Sequence, residues 1–206
     1  LSDLCGATGA ATVIFTATDA CGNQSYCTNT VTVGGSTPPV IACRTNVTFE
    51  CDGSGNTNDL AAWLASVTAT DVCGSASVSN NYGGLSDLCG ATGAATVIFT
   101  ATDACGNQSY CTNTVTVSDS TPPGIACTTN VTFECDGSGN TNDIAAWLAS
   151  VTATDVCGSA SVSNNYSGLS DLCGATGAAT VIFTATDACG NQSRCTNSVT
   201  VADTTA

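Results

Sequence analysis

Apolar and polar residues alternate with period two along much of this chain. Val97, Phe99 and Ala101 share one parity, Thr96, Thr100 and Thr102 the other, with Ile98 out of step. After a Gly-Asn break, Cys111, Val115 and Val117 alternate with Thr112, Thr114 and Thr116. This pattern predicts a strand, a tight turn and a second strand. Gly and Asn suit the turn because they adopt positive φ at little cost. The stretch from Thr100 to Val117 recurs from Thr16 and from Thr184.

Upstream, Ile41, Cys43, Val47, Phe49 and Cys51 fall on one parity, which predicts a single half-buried strand with a cysteine near each end. Leu60, Trp63, Leu64 and Val67 then sit at helical spacing, a two-turn apolar stripe. Asn58 or Thr57 is its expected cap, and Asp59 complements its positive end. Two further strands follow with a break at Asp71–Gly74, and Ala76, Val78 and Tyr82 are their inward positions. The expected class is all-β, a sandwich of short strands with one short helical segment per repeat.

Cys5, Cys89 and Cys173 open the same string, 84 residues apart. A fixed period of this size marks a tandem array. The expected division is residues 1–36, the last part of a preceding repeat, then whole repeats at 37–120 and 121–206. Thr37-Pro38-Pro39 and Thr121-Pro122-Pro123 open the whole repeats, and paired prolines stiffen a connection.

Charge narrows the partners. The net charge is −14, with no Lys or His and only Arg44 and Arg194 as bases, so neither nucleic acid nor an anionic membrane is an expected partner. Fifteen cysteines in 206 residues indicate an oxidising, extracellular setting. No signal peptide or membrane span is visible, and the expectation is a window on a longer secreted polypeptide. Without His or Lys, a nucleophile has no ordinary activating base, so no enzyme is expected and no catalytic residue is named.

No metal site is assigned. Structural calcium is a candidate in the oxygen-rich run Asp52–Asp59, although Asp and Asn there also serve as turn formers. No other cofactor is expected. Sequons stand at Asn23, Asn46, Asn107, Asn130, Asn165 and Asn191. Asn46 lies on the outward parity of its strand, whereas Asn107 lies in the tight turn, where its side chain can serve the backbone.

The strings TPPVIAC, TATDVCG and VIFTATDACGNQSYCTNTVTV resemble the hyalin-repeat class of immunoglobulin-like domains. The version most similar is tandemly repeated in large secreted proteins of Bacteroidetes-type bacteria. The resemblance implies an immunoglobulin-like sandwich used in adhesion or surface structures, with no catalytic role. Asp119-Ser120-Thr121 and Asp203-Thr204-Thr205 also look like the O-glycosylation motif of such bacteria, which makes Ser120 and Thr204 candidates.

Six cysteines per repeat allow fifteen pairings. Laid on an immunoglobulin-like sandwich, they give the expected bonds Cys43–Cys111, Cys51–Cys89 and Cys73–Cys105, repeated as Cys127–Cys195, Cys135–Cys173 and Cys157–Cys189. The expected function is a structural segment of an extracellular filament or cell-surface stalk of disulfide-stapled, glycosylated repeats. Its partners are neighbouring repeats or copies of itself. The alternative is an adhesin or carbohydrate-binding array.

Overall fold

A computed structural model describes residues 2–3, 5–170 and 174–205 of the chain. The chain forms two compact units whose borders cut across the sequence repeats. The first takes Leu1–Val47, Thr57–Gly84 and Ala94–Val115; the second takes Thr48–Asn56, Leu85–Gly93 and Thr116–Ala206. The two short segments that the second unit draws from the first repeat carry Cys51 and Cys89.

The first unit opens with β1 (Ser2–Asp3), β2 (Gly9–Thr18) and β3 (Gln24–Val33), an antiparallel sheet in that order. The first whole repeat supplies β4 (Val40–Ala42), β5 (Val47–Glu50), α1 (Thr57–Leu64), β6 (Thr68–Thr70), β7 (Ala76–Asn80), β8 (Gly93–Asp103) and β9 (Gln108–Ser118). The second repeat, within the second unit, runs through β10 (Gly124–Ala126), β11 (Val131–Glu134), α2 (Thr141–Leu148), β12 (Thr152–Thr154), β13 (Ala160–Asn164), β14 (Gly177–Asp187) and β15 (Gln192–Ala202).

Each whole repeat holds a two-stranded sheet, β4-β6 or β10-β12, and a four-stranded one, β5-β9-β8-β7 or β11-β15-β14-β13. The long hairpins form as the alternation predicts. Val97, Phe99, Ala101, Val115 and Val117 are fully buried, while Ile98, the residue out of step, is 43% exposed. In the second repeat, Ile144, Trp147, Val151, Val181, Phe183, Val199 and Val201 form the core, and Trp147 meets Phe183 edge-on at 5.5 Å. Each such aliphatic or aromatic side chain contributes ~2 kcal/mol by leaving water. In β2 and β3 the matching residues are open: Phe15 is 56% exposed where Phe99 and Phe183 are buried.

The structure corrects two local expectations. The run Ile41–Cys51 is not one strand: β4 pairs antiparallel with β6, while β5 lies in the other sheet. Side chains hold the break between them. Asn113 donates its side-chain amide to the Arg44 carbonyl, and the Asn46 Oδ1 accepts the Thr114 N–H at 2.9 Å. The chain thereby changes sheets without stranding backbone groups. The helix caps also differ from the expected Thr57 or Asn58. In the second repeat the N-cap is Asn140, left-handed at φ 50°, and Asn56 takes φ 51° at the matching place. Asn140 makes no side-chain cap bond to the helix backbone, although its amide donates to Asp143 Oδ2 at 3.1 Å. Its amide donates to Glu134 O, and its Oδ1 faces the Asp136 N–H.

Candidate functional site

Five disulfides are formed among the described residues. Cys43–Cys111 and Cys127–Cys195 close within one repeat, with Cα atoms 6.2 and 6.4 Å apart. The other three join cysteines of consecutive repeats: Cys5–Cys105 in the first unit, Cys51–Cys157 and Cys89–Cys189 in the second. Their Cα separations are 5.0, 5.9 and 5.1 Å, within the normal range for a cystine.

These bonds replace three expected pairs. Cys51 bonds Cys157 rather than Cys89, Cys105 bonds Cys5 rather than Cys73, and Cys157 and Cys189 are not joined to each other. The expected Cys135–Cys173 pair involves Cys173, which lies outside the described residues, and Cys135 is a free thiol. The reason is local. Cys51 follows β5 and donates its N–H to Ser118 O at 2.8 Å, which places it beside Val117 and Cys157. Cys89 heads a tight turn in which Thr92 returns its hydroxyl to the Cys89 carbonyl at 2.6 Å. Residues 90 and 91 of that turn meet the Cys157 backbone, and Ala91 N–H donates to Cys157 O at 2.9 Å.

Gly90 is the residue this turn requires. Its φ is +58°, and a Cβ there would overlap the Cys157 carbonyl oxygen. The first unit repeats the arrangement. Gly6, at φ +54°, lies against the Cys73 carbonyl, and Ala7 N–H donates to that oxygen at 2.5 Å.

The partner cysteines Cys105 and Cys189 lie in the hairpin turns. Asp103 Oδ1 accepts the N–H groups of Cys105 and Asn107, each at 2.8 Å. The Asn107 side-chain amide donates to Asp103 Oδ2 and to Gly35 O, both at 2.8 Å. In the second unit Asn191 does the same toward Asp187 and Asp119 O. The hydrogen bonds from Asn107 hold the Asp103 carboxyl below its ordinary value. At Asp187 burial pushes the other way, but the bonds from Asn191, Cys189 and Gly190 prevail and the net shift is downward.

A second device fixes the connection after β9. Glu50 receives the Ser120 N–H at 2.7 Å, the Ser120 hydroxyl at 3.0 Å and the Thr121 hydroxyl at 2.9 Å. Glu134 binds Thr204 and Thr205 likewise. Ser120 and Thr204, the O-glycosylation candidates, therefore use their hydroxyl hydrogens on these carboxylates, and a glycosylated oxygen has no hydrogen to donate.

Among the sequons, Asn46, Asn130 and Asn165 are exposed and engage the backbone through Oδ1, accepting from Thr114, Ser198 and Ile182. This leaves their amide nitrogens at the surface; Asn130 Oδ1 also accepts from Asn197 Nδ2 at 3.5 Å. Asn107 and Asn191 are half-buried and donate twice from Nδ2. Exposed Asn23 donates to Asp19.

In the run Asp52–Asp59, Asp52 Oδ1 accepts N–H groups from Ser54 and Asn56 at 2.7 and 2.9 Å, the work of a turn former. Asp119, Asp155 and Cys157 converge within 4.8 Å, but Cys157 is bonded to Cys51. Two carboxylates remain, fewer than the ~6–8 oxygens calcium takes. Burial, with the nearby charges of Asp155, Asp187 and Glu50, holds the Asp119 carboxyl above its ordinary range. A cavity beside α2 is lined by Gly139, Thr141, Ile144, Ala145, Leu148 and Tyr166, with no carboxylate or basic side chain among these described residues. Among the described residues no helix is long and apolar enough to cross a membrane.

The model of the HYR domain matches this chain twice, over residues 35–117 and 118–201. The chain belongs to the HYR domain family. HYR domains, the hyalin repeats, are structural and adhesion modules, and this disulfide-rich pair is an extracellular one. No curated protein matches the chain. Its HYR repeats are similar to solved cadherin fragments. Protocadherin gammaB7 EC3-6 shares 14% identity at a TM-score of 0.34, covering 94% of this chain and 58% of that one. Drosophila N-cadherin EC1-4 shares 12% at 0.34, covering 98% and 59%. The chain thus spans little more than half the length of these fragments.

Proposed function

We propose that this HYR pair is a structural segment of an extracellular filament or cell-surface stalk, with glycans attached at exposed sequons. One observation carries the reading: three of the five cystines join a cysteine of one repeat to a cysteine of the next. A bead on a flexible string needs only its own internal bonds. Two covalent bridges across one repeat boundary, with the Glu50 bonds to Ser120 and Thr121 beside them, restrict bending and torsion there. That restriction is the property a load-bearing array needs. The charge of −14 keeps neighbouring arrays apart and discourages edge pairing.

An adhesin or carbohydrate-binding array would need an exposed aromatic platform. Trp63 and Trp147 are each only 7% exposed. Tyr110 is open, but Arg194 stands at the matching place in the second repeat. Electron microscopy of native material tests the reading. Continuous fibres or stalks with one regular repeat support it; isolated globular particles, or a strong hit on a glycan array, overturn it.

A further inference from the structure

We propose that Cys135, Gly137 and the turn at Gly174 form a vacant docking face, and that its occupant is a further copy of the 84-residue repeat, bonded from Cys135 to that copy's counterpart of Cys73. The inference deepens the scaffold reading above and rests on it for the claim that the array continues.

The argument comes from an occupied copy of the same face. In the second unit, Cys51 is bonded to Cys157, Gly53 lies against the Val156 carbonyl, and Gly90 lies against the Cys157 carbonyl. Both glycines take positive φ, +74° and +58°, and a Cβ on either would overlap the facing oxygen. One period later stand Cys135, Gly137 and Gly174. The two glycines already hold the same backbone, Gly137 at φ +73° and Gly174 at φ +59°, while Ala175, at φ +61°, differs from its counterpart Ala91. Around both glycines, however, no described residue lies within 4 Å of where a Cβ would be, and Cys135 is a free, half-buried thiol. Its Sγ faces the Gly174 carbonyl at 3.3 Å; the Cys51 sulfur, bonded to Cys157, faces the carbonyl one place further along its turn, Ala91 O, at 4.0 Å. Three features that act together against Val156 and Cys157 therefore recur with no described residue against them.

The complementary half is visible in the first unit. Cys73 occupies the place of Cys157, and its carbonyl already receives Ala7 N–H as Cys157 O receives Ala91 N–H. Its sulfur is free and half-buried, whereas Cys157 is only 4% exposed. Val72, beside it, is 92% exposed, against 65% for Val156 under Gly53. Cys73 is thus the acceptor of the same bond, lacking a Cys51-type donor. Cys135 is the donor, lacking a Cys73-type acceptor.

Forming the bond oxidises two thiols to one disulfide. The two protons and two electrons pass to a disulfide oxidant such as oxidised glutathione, which leaves as two thiols.

The test extends the full chain by one copy of residues 37–120 after the second repeat and folds it with oxidised and reduced glutathione. Disulfide-linked peptides are then mapped by mass spectrometry. The expected result is a peptide joining Cys135 to the added repeat's counterpart of Cys73. Alkylation of Cys135 without denaturant falls from complete in the 206-residue chain to none in the extended one. In the extended Cys135→Ser variant the counterpart thiol becomes alkylatable while the remaining bonds persist, which separates a lost bond from a failure to fold. A Cys135–Cys173 bond, or a Cys135 still free in the extended chain, overturns the inference. Either result leaves the scaffold reading intact, because that reading is tested by the form of the native material.

Discussion

Gly90 runs so close to the carbonyl oxygen of Cys157 that no side chain fits between them. Two independent costs meet there, left-handed backbone and steric overlap. Gly90→Ala should therefore lower stability by roughly 2–4 kcal/mol, combining ~1–2 for the left-handed conformation with the displacement of the contact. Gly174→Ala, at nearly the same φ but with no described residue against it, should cost only the first part, ~1–2 kcal/mol. Denaturant unfolding of the two variants under oxidising conditions checks the difference. Equal losses would show that the Cys157 contact carries no weight.

Cutting the bridge itself is the next case. Cys51 and Cys157 are 106 residues apart in sequence. Replacing both by Ser should cost roughly 2–4 kcal/mol, below the ~4.7 of the chain-entropy model because Cys89–Cys189 already closes a similar loop. The double variant, compared with the parent chain by thermal melting without reductant, should melt several degrees lower.

Asn113 is 8% exposed and gives its amide to the Arg44 carbonyl where the chain changes sheets. Asn113→Ala would strand that carbonyl, at a cost of about 1–3 kcal/mol. Hydrogen exchange should quicken first in Val40–Ala42 and Val47–Glu50, the strands on either side.

Acid should weaken the protein, and the sign follows from the carboxylates. Glu50 is held below its ordinary 4.5, first by the Ser120 N–H, then by the Thr121 and Ser120 hydroxyls. Glu134 is lowered first by the Thr204 N–H. Asp52 and Asp136 are lowered chiefly by the N–H groups of Asn56 and Asn140. A group lowered on folding gives its full stabilisation above its unfolded pKa and loses it as pH falls through the folded one. Asp119, raised mainly by burial, acts in the opposite sense but alone among these. The denaturation midpoint should hold from neutrality to about pH 5 and drop below about 4.5. In the Glu50→Gln, Glu134→Gln double variant the drop should be shallower.

Glycopeptide mapping of native protein should return sugar at Asn46, Asn130 or Asn165 and unmodified Asn107 and Asn191. A glycan on either turn residue would have to displace a hydrogen that now bonds Gly35 or Asp119.

Much of this was legible in the residues. Period-two alternation located the buried face of each hairpin down to the exception at Ile98, and helical spacing found the stripe around Trp63. The pairing of Cys51 was not legible. Parity tells which face a sulfur takes, but consecutive repeats present the same faces, so nothing nearby in sequence distinguishes Cys89 from Cys157. The sheet change after Ala42 was hidden for a related reason. Its causes are Asn113 and Thr114, about seventy residues away, which take up the polar groups of Arg44 and Asn46. Asn56 and Asn140 escaped notice as caps because they act through backbone φ and distant carbonyls.

The bridges Cys51–Cys157 and Cys89–Cys189 also change what a protease can do. A cut anywhere between residues 90 and 156, the Pro122-Pro123 connection included, breaks the main chain yet leaves the pieces joined through sulfur. Tension arriving at a nicked junction would be carried by cystine until a reductant reached it.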